Sequence, residues 1–454
     1  MIPNEKYFYG DDSPIAAFAT ALGGSALTLI RCSGKGSVEM LSLVFSPGKI
    51  IEAPGNTVIH GWIISGIEKI DEVLVSVFRS PKSYTGEDSL DISCHGGFTA
   101  GKAVLDALRS AGFRDALPGE FTFRAFMNGK LDLTKSESVM EIVSAKTEEG
   151  RRHALSRLSG SLLAEINEIK KLLVKVLAGA EIFLDYCDDE ISAVNEDEIA
   201  GRLPEKKSAV LALEMLKKLS ASWQLERLYQ EGVTVAIAGP PNAGKSSLFN
   251  CLLKEDRSIV TETPGTTRDW IEAWISIEGI PVRLVDTAGL RESGDAAEKI
   301  GVERSRSLIE EADIVLYLLN GDGYPQNGVR HLFVWNKFDI SSPPLDNKLN
   351  PVCVSAKTGE GIPELITAVS AAIFKQTMLN AEVSVSVGTQ RQKKLVDSAC
   401  SCLEEALALS DKNQPLDLIA PLLREAVNAL GEITGEISTS DILEEMFSRF
   451  CVGK

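Results

Sequence analysis

Residues 239–246 read Gly-Pro-Pro-Asn-Ala-Gly-Lys-Ser, a composition that can wrap a chain of phosphates. The two glycines let the backbone turn its N–H groups inward, and a helix that follows would present its positive end to the same anion. Lys245 supplies a point charge for the β- and γ-phosphates, and the Ser246 hydroxyl is placed to bind Mg²⁺. An apolar strand pattern precedes the loop and a helical pattern follows it, so we interpret it as a phosphate-binding loop.

Three later signals concern the rest of a nucleotide. Asp286-Thr287-Ala288-Gly289 ends a strand pattern, where a carboxylate would lie near Mg²⁺ and a glycine N–H near the γ-phosphate. Asn336-Lys337-Phe338-Asp339 offers a carboxylate that can accept from two adjacent N–H groups, a donor pair that guanine has and adenine lacks. Ser355-Ala356-Lys357 would support the base from the next loop. These signals predict binding of GTP and GDP with Mg²⁺. The residues predicted to contact the nucleotide are Asn242, Ala243, Gly244, Lys245, Ser246, Ser247, Thr261, Thr266, Thr267, Asp286, Thr287, Ala288, Gly289, Asn336, Lys337, Asp339, Ser355, Ala356 and Lys357.

The water-positioning group is unusual. Leu290 follows Gly289, where Ras-like hydrolases hold a glutamine that orients the attacking water. The segment 261–269 reads Thr-Glu-Thr-Pro-Gly-Thr-Thr-Arg-Asp, and its Thr267 can complete the Mg²⁺ shell. Spacing alone leaves two readings of this segment: a site for a monovalent cation that replaces an arginine finger, or an ordinary switch loop.

The elements that must position these residues fall into four stretches. Residues 1–128 carry short β-type runs and read as an α+β domain. Residues 129–229 and 377–454 have apolar residues at helical spacing, and residues 230–376 alternate strand and helix. We therefore predict a multidomain α/β and α+β fold in which a Ras-like domain is inserted into one helical domain. Within it, the 320–331 connection is short for a parallel crossover; either its helix is truncated or residues are missing from the sequence.

Composition excludes several other classes. The formal charge of −17 argues against a broad basic surface for nucleic acid, although a local basic patch is compatible with it. The 8 cysteines form no Cys-x-x-Cys pair and there are only 4 histidines, so a zinc site is weakly supported. We find no signal peptide and no apolar run long enough to span a bilayer, and we expect a cytoplasmic protein with reduced thiols.

Both ends of the chain carry dense polar motifs. They occupy residues 83–88, 94–97 and 118–133, and turn chemistry and a ligand pocket explain them equally well. His95 within the second motif is more typical of a structural turn than of a catalyst. The tail ends Phe-Cys-Val-Gly-Lys, and Cys451 is either a reactive thiol on this tail or part of a frayed terminus.

These motifs together resemble the MnmE (TrmE) family of tRNA-modification GTPases over nearly the whole chain. The resemblance rests on Thr-Gly-Glu-Asp, His-Gly-Gly, Pro-Gly-Glu-Phe-Thr-x-Arg-Ala-Phe, the phosphate loop, Gly-Thr-Thr-Arg-Asp, Asp-Thr-Ala-Gly-Leu-Arg and the Cys-Val-Gly-Lys end. It implies a folate-binding N-terminal domain that forms a homodimer, and a heterotetramer with the FAD-containing protein MnmG (GidA). It also implies modification of tRNA at carbon 5 of the wobble uridine, giving an aminomethyl or carboxymethylaminomethyl group from 5-formyl- or methylene-tetrahydrofolate.

The resemblance also assigns roles to single residues. It implies that K⁺ activates GTP hydrolysis when two GTPase domains meet, with Glu298 as the carboxylate that helps to orient water. Asp91 departs from the glutamate expected at its position, and residues 20–24 depart from a usual proline- and glycine-rich loop. The implied sets are Ser246 and Thr267 for Mg²⁺, Asn242, Thr261, Thr263 and Thr266 for K⁺, and Arg31, Asp91, Lys130 and Lys454 for folate.

Two other classes compete with this interpretation. A ribosome-assembly GTPase would carry a basic RNA-binding domain with a Gly-x-x-Gly loop after its nucleotide domain. A scaffold that uses GTP only to dimerise would bind the nucleotide without needing Glu298 for catalysis.

Replacing Glu298 by alanine should slow GTP hydrolysis by about 10²- to 10⁴-fold, because a positioned general base contributes about that much. GTP binding should be unchanged. Single-turnover hydrolysis and titration with a fluorescent GTP analogue measure the two effects, with Glu303→Ala as the control. Normal hydrolysis by the Glu298 variant would assign this role to another residue.

Overall fold

A computed structural model of the chain describes residues 11–21, 23–185, 203–254, 258–259, 271–286, 308–319, 331–343, 349–377 and 385–453. The chain divides into two compact units, of which the first combines Met1–Met140 with Val427–Lys454 and the second is Glu141–Ala426. The domain boundaries predicted above stay a prediction.

Strands and helices are numbered in chain order. The strands are β1 (Ile15–Phe18), β2 (Leu27–Ser33), β3 (Phe45–Ser46), β4 (Thr57–Ser65), β5 (Glu68–Phe78), β6 (Ser89–His95), β7 (Arg114–Asp115), β8 (Val233–Ala238), β9 (Ser258–Ile259), β10 (Ile271–Ile277), β11 (Ile280–Asp286), β12 (Ile314–Leu319), β13 (His331–Trp335) and β14 (Val352–Cys353). The helices are α1 (Ser37–Ser42), α2 (Phe98–Ser110), α3 (Glu120–Met127), α4 (Leu133–Ser144), α5 (Glu148–Leu158), α6 (Ser161–Asp185), α7 (Lys206–Glu231), α8 (Lys245–Lys254), α9 (Ile362–Thr377), α10 (Gln390–Asp411), α11 (Leu416–Thr434) and α12 (Ser440–Ser448).

The first unit is built on a mixed sheet with the strand order β3-β4-β5-β6-β2-β1-β7. Its strands alternate, since Val73, Val75 and Val77 of β5 are buried while Leu74 and Ser76 point to the other face. Helix α2 packs on the apolar face. The strand patterns predicted for this region are confirmed, and the opposite face of the sheet remains available for polar residues.

The C-terminal helix α12 belongs to this first unit. Phe447 of α12 lies edge-to-face against Phe123 of α3, with ring centroids 5.4 Å apart. Leu133 and Phe450 are buried in the same cluster. Aromatic packing of this kind anchors the end of the chain beside the third polar motif.

Helices α5, α6, α7 and α10 pack together in the second unit. The helical spacing of apolar residues predicted for residues 129–229 is confirmed on α6, where Leu162, Ile166, Ile169 and Leu173 are all fully buried and form an apolar stripe. Helix α7 packs against both α6 and α10. The helix α6 precedes the second sheet in the chain, and α10 follows it. None of the helices in the described part of the chain is long and apolar enough to cross a membrane.

The second sheet, with the strand order β14-β13-β12-β8-β11-β10-β9, completes this unit. Strands β11, β8, β12, β13 and β14 run parallel, whereas β10 and β9 pair antiparallel. The central strands are buried on both faces and read as continuous apolar runs, as predicted. Strands β12 and β13 are parallel neighbours, and the short connection between them falls in residues 320–330, outside the described residues.

Replacing Leu173 by alanine should lower the free energy of unfolding by about 2–5 kcal/mol, because the change leaves a cavity in the helical core. The neighbouring Val174 is 44 % exposed, so Val174→Ala should change it by only about 0.5 kcal/mol. Chemical denaturation of both variants tests the helix orientation, and equal losses would contradict it.

Candidate nucleotide site

The phosphate loop, residues 239–246, joins the end of β8 to the start of α8. Gly239 has φ +141°, and a Cβ there would lie 2.6 Å from the Leu318 carbonyl oxygen. Gly244 has φ +89°, and its Cβ would lie 2.3 Å from Nδ2 of Asn336. Both positions therefore require glycine, and the loop is closed against the ends of two neighbouring strands.

Lys245 begins α8 and turns back over the loop. Its Nζ donates to the carbonyl oxygens of Gly239 and Pro240 at 3.0 and 2.9 Å, and the side chain is buried. The ammonium group is thus held over the loop and beside the positive end of a helix. This arrangement concentrates positive charge where the sequence places a phosphate chain.

Ser246 and Asp286 bring two hard oxygen ligands together. The Ser246 hydroxyl donates to Oδ2 of Asp286 at 2.7 Å, and Asp286 is buried at the end of β11. A hydroxyl and a carboxylate side by side suit Mg²⁺, which prefers oxygen ligands. The residues present therefore fit the predicted metal, which these two groups would hold against the β- and γ-phosphates.

Asn336 connects the loops around the site. Its Nδ2 donates to the Ala243 carbonyl at 3.0 Å, and its Oδ1 accepts from the backbone N–H groups of Lys337 and Ala356 at 2.8 and 3.1 Å. Lys337 reaches back so that its Nζ donates to the Asn242 carbonyl at 2.9 Å. The base-side loops are therefore tied directly to the phosphate loop.

Asp339 is an exposed residue on the base side of the site. The buried Ser355 donates from Oγ to Oδ1 of Asp339 at 2.8 Å, and the N–H of Thr358 donates to the same serine. The Ser355 hydroxyl thereby fixes the orientation of one carboxylate oxygen, while the Asp339 side chain is exposed to solvent. This is the arrangement needed to accept two N–H groups from guanine, and Lys357 lies exposed beside it.

Several predicted residues fall outside the described residues, and their roles stay predictions. They are Thr261, Thr263, Thr266, Thr267, Thr287, Ala288, Gly289, Glu298 and Lys454. Of the predicted K⁺ ligands the structure therefore describes only Asn242, which is exposed at a left-handed φ of 62°.

Three residues assigned to folate lie in the first unit. Arg31 and Asp91 are cross-strand neighbours on β2 and β6, and Nε of Arg31 donates to Oδ1 of Asp91 at 3.0 Å. The Arg31 guanidinium lies 5.8 Å from the centre of the Tyr84 ring. Lys130 donates to the Pro81 carbonyl at 3.0 Å in the loop that carries Tyr84. An aromatic ring, a carboxylate and two cations fit the heterocycle and carboxylates of a folate.

The polar motifs of the first unit have a structural role. Glu120 is fully buried and accepts from Arg114 at 2.6 Å and from Arg124 at 2.9 Å. Arg124 also donates to Glu87, which accepts from the Ser33 hydroxyl at 2.8 Å. Buried charges persist only when they are paired in this way.

The same motifs also line a cavity of about 670 Å³. Its lining includes Arg124, Phe126 and Asn128 of the third motif, together with Gly435 and Leu443. The motifs therefore have a structural role, and a ligand pocket here stays a prediction. His95 is the last residue of β6, and its Nδ1 lies 2.6 Å from Oδ1 of Asp71, a hydrogen bond that raises the pKa of His95. Its structural role stays a prediction.

The alternative of a frayed terminus is wrong for residues 450–453. Phe450 is buried, and Gly453 is packed so closely that a Cβ would lie 2.2 Å from the Phe18 carbonyl oxygen. Cys451 is an exposed free thiol whose carbonyl accepts from the Gly119 N–H at 3.4 Å. Backbone packing against β1 and the loop before α3 holds the tail in place, and the reactivity of Cys451 stays a prediction.

Sequence reasoning missed a buried charge cluster in the second unit. Arg157 is 1 % exposed and donates to both Glu141 and Glu226. Burial raises the pKa of Glu226, but hydrogen bonds and charge from His153 and Arg157 lower it to about 2. The helical spacing of the sequence could have predicted that Arg157 is buried, because it lies on the same face of α5 as the buried Gly150 and Ala154.

Comparison with known proteins assigns both parts of the chain. Residues 14–130 match the family model for the GTP-binding protein TrmE N-terminus, and residues 133–451 match the model for the MnmE helical domain. Among solved structures, the G domain of the T. maritima FeoB iron transporter is 28 % identical and covers 32 % of this chain and 99 % of its own, with a TM-score of 0.24. The predicted fold class is confirmed.

Full-length relatives agree with the family models. The tRNA modification GTPase MnmE of Treponema denticola is 42 % identical, with 99 % of each chain covered. The proteins of the same name from Borrelia recurrentis and Carboxydothermus hydrogenoformans are 39 % and 37 % identical over 99 % and 98 % of this chain, and all of each relative is covered. The chain therefore belongs to the MnmE family of tRNA modification GTPases.

Proposed function

We propose that this tRNA modification GTPase uses the site at the end of the second sheet to bind GTP with Mg²⁺ and to hydrolyse it. The observation that carries this proposal is the convergence of Lys245, the Ser246–Asp286 pair and the Asn336–Asp339 group at one sheet edge. These groups are the ones that the phosphate, metal and base contacts of a guanine nucleotide would need. When bound, Mg²⁺ neutralises charge on the phosphates, and the protein orients the groups around them.

The proposal includes activation by K⁺. Lys337 binds the backbone carbonyl of Asn242 and not its side chain. The side-chain oxygen of Asn242 would then face a cation beside the phosphates. A monovalent cation there would supply the positive charge that an arginine finger supplies in other GTPases. Leu290 offers no group to orient water, and the family resemblance implies that Glu298 is the carboxylate that does so.

The first unit is proposed to bind the tetrahydrofolate one-carbon donor through Arg31, Asp91 and Lys130. Asp91 would accept from the pterin edge, and the two cations would attract the carboxylates of the folate tail. With the FAD-containing partner MnmG, this carbon would be transferred to carbon 5 of the wobble uridine in tRNA. Asp91 is one methylene shorter than glutamate, so this contact tests the folate assignment most directly.

A homodimer of the first unit is part of the same proposal. The sheet face that carries Arg31 and Asp91 also exposes Leu27, Val58 and Leu74, which are 62 %, 63 % and 48 % exposed. An apolar patch around a polar centre is typical of a protein–protein interface. A second copy placed on this face would also enclose the folate residues.

The ribosome-assembly alternative is not supported by the segment that follows the nucleotide site. Residues 385–453 form the helices α10, α11 and α12, and this described stretch contains no strand. An RNA-binding domain of the expected kind requires a sheet.

GTP turnover should be several-fold faster in K⁺ than in Na⁺, and Asn242→Gly should remove most of this difference while GTP still binds. Glycine is chosen because alanine would be strained at the left-handed backbone of residue 242. Steady-state hydrolysis in matched K⁺ and Na⁺ buffers measures the effect, with Asn250→Gly near the end of α8 as the control. Equal rates in the two salts for the unaltered protein would refute the cation site.

Cells that lack this protein should lose the carbon-5 group on wobble uridine, which mass spectrometry of purified tRNA detects. Re-expression of the chain should restore the modification, and an Arg31→Ala variant should not, because the guanidinium is a proposed folate contact. Unchanged uridine modification in the deletion strain would refute the role in tRNA.

A further inference from the structure

The buried Arg157 network joins four separate segments of the second unit. It consists of Glu141, His153, Arg157, Glu226 and Ser386. Arg157 donates to Oε2 of Glu141 at 2.6 Å, to Oε1 of Glu226 at 2.7 Å and to Oγ of Ser386 at 2.9 Å. Ser386 then donates to Oε2 of Glu226 at 2.9 Å, and Nδ1 of His153 lies 2.8 Å from the same oxygen.

These segments include both places where the chain passes between the nucleotide-binding sheet and the helices. Helix α7 carries Glu226 and leads through Gly232 into β8, the strand that ends at the phosphate loop. A Cβ on Gly232 would lie 2.2 Å from the Pro281 carbonyl oxygen, so this passage is tightly packed. Residues 385–389 carry Ser386 and lead into α10.

Residues 385–389, here called the return segment, are held against α7 by hydrogen bonds. The Val387 N–H donates to the Ser222 hydroxyl at 3.2 Å, and Nε2 of Gln230 donates to the Gly388 carbonyl at 2.8 Å. A Cβ on Gly388 would lie 2.2 Å from Oε1 of Glu141 and 2.6 Å from Nε of Arg157. The backbone at 388 therefore lies directly against the charged network.

A network of this kind resists relative movement of its parts. Arg157 is 1 % exposed and Glu226 is fully buried, so separating them would leave charges in a medium that cannot solvate them. A flexible or hydrated connection would let α7 move without displacing its neighbours. The paired residues of the Arg157 network must instead move together, or their hydrogen bonds must break. A shift of α7 is therefore passed to residues 385–389 and to α10.

We propose that the Arg157 network couples the nucleotide state of the phosphate loop to the helices α7 and α10, with Arg157 as a positioning residue. The inference rests on the GTP cycle proposed above and adds the route by which that cycle acts on the helices. Neither the folate site nor tRNA takes part in this coupling, so it can be measured without them.

Hydrogen exchange of the full-length protein, loaded either with GDP or with a non-hydrolysable GTP analogue, tests the coupling. The unaltered protein should show a difference between the two states in both the phosphate loop and α10. Ser386→Ala removes the hydroxyl that joins the return segment to Arg157 and Glu226. It should reduce the α10 difference at least about fivefold and leave the phosphate-loop difference within about twofold.

Ser220→Ala is the matched control, because the Ser220 hydroxyl also joins α7 to α10 but does so through the exposed Asp397. It should retain the α10 difference. Gly388→Ala, whose methyl group would push into the network, should behave like Ser386→Ala and provides a second variant if the first does not fold. A normal α10 difference in the Ser386 and Gly388 variants, or none in the unaltered protein, would overturn the proposal.

The outcome is separable from the proposed role in tRNA modification. Unchanged wobble-uridine modification in the deletion strain, together with loss of the α10 response in the Ser386 variant, would refute that role and support the coupling. Loss of the modification in the deletion strain, together with a normal α10 response in the Ser386 variant, would support the role in tRNA and refute the coupling.

Discussion

Parallel strands buried on both faces constrain the chemistry of the second unit. Strands β8, β11 and β12 can hold few polar side chains along their length, because most of their residues are buried. Polar groups are therefore confined to the strand ends and the loops that follow. Since parallel strands share one carboxyl edge, the phosphate loop, Asp286 and Asn336 necessarily meet there.

Asn336 converts this common edge into a single site. Its amide links the phosphate loop to the loops on the base side, so each of them is held in position by the others. Lys337 adds a second link to the backbone of Asn242. The residue type that signals guanine in the sequence is thus also a structural connector, which explains why an amide is needed there.

Buried charge has a different purpose in each unit. In the first unit, Glu120 and Arg124 hold the polar motif around a cavity and support the sheet that carries Arg31 and Asp91. In the second unit, Arg157 joins helices to the segments that enter and leave the nucleotide-binding sheet. Both clusters use the same physical rule, that ions inside a protein require full pairing, but they act on different parts of the proposed reaction.

The sequence alone predicted the nucleotide, because the predicted contacts to phosphate, Mg²⁺ and guanine come from short motifs with local spacing. It also located most strands and the apolar stripe on α6, since hydrophobic periodicity reports which face is buried. Only the tertiary structure showed that Ser386 lies beside Arg157, 229 positions earlier in the chain, and that Gly453 packs against β1. Contacts between such distant residues depend on how the elements pack in space, and no local pattern of residues encodes that packing.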